Sequence, residues 1–78
     1  MGVRAKFKVD SIHLNLYGKG EELRSVNLTP VYSNDPASEN AQFWRFTPTG
    51  KIELGTINPE AWKQFELGKE YYIDFTPA

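Results

Sequence analysis

The sequence predicts a mainly β (α+β) fold. The expected form is a small curled antiparallel sheet, or an OB/SH3-like barrel, of about five strands with one short helix before the last strand. Three observations predict it. Apolar and polar residues alternate with period two in successive short segments. The links between those segments are short, which favours antiparallel pairing. One segment near the C-terminus instead carries helix-start signals. With 78 residues the chain makes a single domain spanning 1–78.

The first strand starts at Val3, Ala5, Phe7 and Val9, which alternate with Arg4, Lys6 and Lys8. At Asp10-Ser11 the phase shifts, and Ile12, Leu14 and Leu16 carry the apolar pattern on in the even positions. A parity change inside one long strand signals a β-bulge or bend, as where a sheet curls. The turn is set by Gly18-Lys19-Gly20-Glu21-Glu22. A second strand over 23–33 places Val26, Leu28 and Tyr32 on one face and Asn27 and Thr29 on the other. Pro30 has no N–H for a ladder, so the segment is expected at an edge or to bulge there.

The polar stretch 33–40 reads as a loop, the best candidate for a mobile segment. Ala41 to Thr47 reads as a strand by its aromatics, with Trp44 and Phe46 on one side and Phe43 and Arg45 on the other. Pro48-Thr49-Gly50 is a turn, Lys51 to Ile57 is a strand, and 41–57 together make a hairpin. The helix opens at Asn58, a good N-cap, with Pro59 at the first helical position and Glu60 at the positive end of the dipole. It closes at Leu67-Gly68. The last strand, Lys69 to Thr76, sets Tyr71, Ile73 and Phe75 against Glu70, Tyr72 and Asp74. The expected order is β-β-β-β-α-β.

Composition narrows the function. Hydrophobic residues are 40% and aromatics 14% of the chain, enough to build a core. No apolar run is long enough for a membrane span, and the first residues lack the apolar stretch of a signal peptide. Cysteine is absent, so disulfides, thiolate metal sites and a cysteine nucleophile are excluded. One histidine excludes a multi-histidine metal site within the chain. Phosphate-loop, dinucleotide, zincin and serine-hydrolase motifs are missing too. His13 with Asp10 or Asp74 is the nearest thing to an acid–base pair, and reads better as a solvated strand residue. Asn27-Leu28-Thr29 fits a glycosylation sequon, which matters only for a secreted chain. The expectation is a non-enzyme without cofactor.

Charge is uneven. Residues 1–19 carry Arg4, Lys6, Lys8 and Lys19 against Asp10, for +3, whereas 53–78 carry two lysines against five acids, for −3. The total of −1 does not suit a protein that coats duplex DNA, but it leaves a local basic stripe. On one strand face Arg4, Lys6 and Lys8 recur about every 6.5–7 Å, close to the phosphate spacing of an extended strand. Trp44, Arg45 and Tyr72 add rings and a cation able to stack on bases. A domain this small, without disulfide or metal, also suits a homo-oligomer.

Two long runs resemble a group of short tailed-phage proteins. The first is Thr47-Pro48-Thr49-Gly50-Lys51-Ile52-Glu53-Leu54-Gly55-Thr56-Ile57-Asn58-Pro59-Glu60-Ala61, and the second runs from Lys63 to Ala78. Val3-Arg4-Ala5-Lys6-Phe7-Lys8 and Leu28-Thr29-Pro30-Val31-Tyr32 fit the same group. The resemblance covers nearly the whole chain. It implies expression in the cytoplasm of an infected bacterial host and a role in binding, on nucleic acid or against host defence. It transfers no site residue.

Three functions follow as expectations. The first is a binder of an anionic nucleotide, in the phage setting a sponge for a host immune nucleotide signal. Arg4, Lys6, Lys8, Arg45 and Lys51 would hold its phosphates, and Trp44 and Tyr72 would stack on its bases. The second is a single-stranded nucleic-acid binder on an OB-like sheet using the same residues. The third is a protein–protein inhibitor or adaptor whose exposed aromatics are interface anchors.

Overall fold

The computed structural model describes residues 3–32, 35–44 and 48–78. Four strands form one antiparallel sheet in the order β3-β2-β1-β4. The strands are β1 (Val3–Tyr17), β2 (Glu21–Pro30), β3 (Ile52–Thr56) and β4 (Glu70–Phe75), with short helices α1 (Glu39–Trp44) and α2 (Pro59–Trp62). The sheet is curled, the first of the two expected forms, and open rather than closed into a barrel; among the described residues it has four strands rather than five.

β1 and β2 form a long hairpin whose turn holds Gly18 at φ 59° and Gly20 at φ 78°, which glycine adopts without a Cβ penalty. Val9 faces Leu28 and Ser11 faces Asn27, so Asp10 is the extra residue of a bulge at the predicted position. The bulge keeps both apolar sets of β1 on one face: Ala5, Phe7 and Val9 before it, and Ile12, Leu14 and Leu16 after it. The buried core is small, consisting of Ala5, Phe7, Val9, Val26 and Leu28. Ile12, Trp44, Ile52, Phe65, Tyr71 and Ile73 pack around it.

Residues 41–44 do not form the start of the expected strand over 41–47, so they build no hairpin with β3. Residues 41–44 are helical, and 45–47 lie outside the described residues. Local capping outweighs aromatic strand propensity here: the Ser38 hydroxyl accepts the Ala41 N–H at 3.1 Å and the Ser38 carbonyl accepts that of Gln42 at 3.1 Å. Of the expected loop, Glu39 and Asn40 are the first turn of α1. α2 starts as the sequence predicts, with the Asn58 side chain accepting the Glu60 N–H at 3.1 Å. It is a single turn, and the chain continues through further turns to Gly68.

Pro30 ends β2 on an unpaired flank, since β3 reaches only Leu28. Asn40 takes over there. Its side-chain amide accepts the Lys6 N–H at 2.6 Å and donates to the Lys6 carbonyl at 2.8 Å and the Val31 carbonyl at 2.7 Å. A buried asparagine thus acts as one peptide unit of a strand and pins α1 to the edge of β1.

Candidate functional site

The sheet has two candidate surfaces. The convex one carries the basic stripe. Arg4, Lys6 and Lys8 stand opposite Asp74, Tyr72 and Glu70 in the β1–β4 ladder. Arg4 makes a two-pronged pair with Asp74, at 2.7 and 3.2 Å. That bond raises the Arg4 pKa and lowers the Asp74 pKa from their ordinary values. Lys6 Nζ lies 3.9 Å from Glu70. Both cations also flank the exposed Tyr72 ring, at 5.0 Å for Arg4 and 5.2 Å for Lys6. Acidic residues on the neighbouring strand therefore compensate much of the stripe's charge.

The other expected ligand residues do not join this cluster. Lys51 precedes β3, at the opposite edge of the sheet from β4. Trp44 is half-buried, stacks edge-on against Phe7 at 5.9 Å and donates its indole N–H to the Thr49 carbonyl at 2.8 Å. It is a packing residue with a satisfied polar tip, while its neighbour Phe43 is the exposed ring. Arg45 lies outside the described residues. His13 is exposed on the distal half of β1, and Asp74 is engaged by Arg4.

The concave surface was not singled out by sequence. A groove of about 540 Å³ opens on it, lined by Leu28 from the sheet centre, Ile52 and Leu54 from β3, Phe65 from the segment after α2, and residues 71–75 of β4. β3 and β4 are the two edges of the sheet, so the curl brings non-adjacent strands to either side of one seam. Residues of both parities of β4 line it, so the groove follows that strand's outer backbone edge as well as its apolar face. Leu54 and Phe75 are 46% and 51% exposed there. Phe65 and Tyr71 pack at 5.5 Å, and the Tyr71 hydroxyl donates to the Gln64 carbonyl at 2.8 Å and accepts the Glu66 N–H at 3.0 Å. One wall is thereby held rigid. The sequence signal for this site was the apolar parity of β3 and β4; their position across a seam is a property of the topology.

No family model, curated protein or solved structure matches the chain. Among the described residues no helix is long and apolar enough to cross a membrane, and no group of three or more histidines and acids is placed to hold a metal ion.

Proposed function

We propose that the chain is a non-catalytic protein-binding module of the inhibitor or adaptor class, which takes an extended segment of a partner into the seam between β3 and β4. The apolar groove bounded by two sheet edges carries this reading. A four-residue strand occupies roughly 600 Å³, given the strand rise, the interstrand spacing and the thickness of a packed layer. The seam is of that size, and strand addition supplies main-chain bonds along the edge and alternate side chains into the groove. Both edges of the seam carry acids, Glu53 on β3 and Glu70 and Asp74 on β4, the latter two shared with Lys6 and Arg4; Glu53 leads the preference for a segment that alternates apolar and basic residues. With the resemblance to short tailed-phage proteins, the partner is a protein met in the cytoplasm of an infected bacterial cell.

A second reading rests on Tyr72 between Arg4 and Lys6, an exposed ring flanked by cations. It suits the stacking of an anionic nucleotide, including a sequestered host immune signal, or of a short single strand. A phosphate must compete with Asp74 for Arg4, which ranks this reading below the first.

Amide-resolved NMR titration of the full chain separates the two. The probes are an eight-residue peptide alternating valine and lysine, its valine–glutamate counterpart, a cyclic dinucleotide and a short single-stranded DNA. The valine–lysine peptide is expected to shift the amides of β3 and β4, and Leu54→Asp is expected to abolish the effect. Shifts confined to Arg4, Lys6 and Tyr72 on adding nucleotide or DNA, with the seam silent to both peptides, would replace the first reading with the second.

A further inference from the structure

We infer that two copies of this chain pair edge to edge through the distal half of β1, from Ser11 to Tyr17, as an antiparallel two-fold ladder centred on Leu14. This surface is separate from the seam, and the inference does not rest on the seam reading.

Three observations carry it. The first is an unpaired edge. On its outer side β1 pairs with β4 only as far as Lys8, and Val9 bonds to Gly68 and Lys69. Beyond the bulge, β1 is paired on its inner side alone, with β2 from Ser11 to Tyr17; among the described residues nothing pairs with its outer side. Along this seven-residue stretch the backbone N–H and C=O groups of alternate residues are thus presented to solvent.

The second is the chemistry of that edge. Ser11-Ile12-His13-Leu14-Asn15-Leu16-Tyr17 contains no Asp, Glu, Lys, Arg or Pro, the residues that ordinarily keep an edge from pairing. The other two edges do carry acids, Glu53 on β3 and Glu70 and Asp74 on β4, which repel the same edge of a second copy while admitting a basic segment. The stretch is also self-complementary. Centred on Leu14, the ladder sets Leu14 against Leu14 of the second copy, Ile12 against Leu16, His13 against Asn15 and Ser11 against Tyr17. Apolar meets apolar on one face, polar meets polar or aromatic on the other, and no acid or lysine or arginine side chain opposes its like. A two-fold contact requires this self-match.

The third is size. A globular monomer of 8.9 kDa exposes roughly 4,800 Å². This chain exposes 5820 Å², with Leu14 55% and Leu16 89% exposed on the arm. Its radius of gyration is 14.5 Å, against about 11.5 Å for a compact domain of this length. The excess of roughly 1,000 Å² is close to the ~800 Å² that each partner loses in a standard interface.

The test measures the mass of the full chain in solution by light scattering and native mass spectrometry, over a range of concentrations. Wild type is expected at twice 8.9 kDa. Leu14→Lys sets two like charges face to face and is expected to weaken self-association by roughly a hundredfold or more. Asn15→Lys lies one position away in register, opposite His13, and is expected to weaken it less; Tyr32→Lys, an exposed position beyond the far end of β2, is expected to leave it intact. A second variant does not depend on charge. The chain has no cysteine, so Leu14→Cys introduces a single thiol, which the two-fold sets opposite its own copy within disulfide reach. It is expected to cross-link on mild oxidation, whereas Tyr32→Cys, beyond the far end of β2, is not. A wild-type monomer at all concentrations, a dimer indifferent to Leu14→Lys, or a dimer in which Leu14→Cys does not cross-link would each overturn the inference.

Discussion

Replacing Asn40 by alanine tests the least obvious joint of the fold. Asn40 is 3% exposed and makes three hydrogen bonds, to the Lys6 N–H, the Lys6 carbonyl and the Val31 carbonyl. The Lys6 carbonyl keeps a second donor, the Val31 N–H at 3.1 Å. The substitution therefore strands two backbone groups, the Lys6 N–H and the Val31 carbonyl. Each unsatisfied buried group costs about 1–3 kcal/mol. A cavity of about 40 Å³ beside Lys6, Val31 and Asn40 has room for a water that restores part of this. The expected loss is about 2–3 kcal/mol, a fall of roughly 10–20 °C in melting temperature for a domain of this size. Urea unfolding followed by circular dichroism, with the slope held constant between wild type and variant, measures it. Asn40→Asp should be worse at neutral pH, because a carboxylate offers no donor to either carbonyl, and should recover partly on acidification. A loss under about 0.5 kcal/mol for Asn40→Ala would show that α1 is not pinned through this amide.

Two further perturbations address charge and curl. The Asp74 carboxyl has its pKa lowered by its bond to Arg4, so the pair stabilises the fold above the ordinary carboxylate value of 3.8 and ceases to do so as pH falls through the lower folded value. Asp74→Asn should therefore flatten the acid limb of the stability profile, and high salt should do the same to wild type, both read from denaturant midpoints between neutral pH and pH 2. Deleting Asp10 removes the bulge without changing the β1–β2 register, since Val9 and Ser11 already face Leu28 and Asn27. The variant should fold with a dispersed NMR spectrum but a flatter sheet and weaker peptide binding in the seam; an unfolded variant would show instead that the bulge is required for the core.

Local rules made several elements legible. Period-two alternation located β1, β2, β3 and β4 to within a few residues, because a half-buried strand must show one apolar face. The parity change at Asp10-Ser11 announced the bulge, since only an extra residue keeps Val9 and Ile12 on the same side. Asn58-Pro59-Glu60 announced α2 through capping chemistry confined to one turn. Residues 41–44 misled for the same local reason. Their aromatics favour a strand, while what fixes Glu39–Trp44 is a serine cap together with three bonds from Asn40 to distant backbone.

The candidate sites divide along the same line. The sequence by itself determined that Arg4, Lys6 and Lys8 share one face and that Tyr71, Ile73 and Phe75 share the opposite one, because side-chain parity is a property of the strand alone. Tertiary structure decided what stands beside them. Pairing of β1 with β4 set Asp74 and Glu70 against the basic stripe and moved its charge toward balance. The order β3-β2-β1-β4, with a curl that brings both edges to one seam, made a groove from residues some twenty positions apart in the chain. The end of β4 pairing at Lys8 left the outer edge of distal β1 open. Each depends on which strand lies next to which, and that is settled by packing energy summed over the whole sheet rather than by any local stretch of residues.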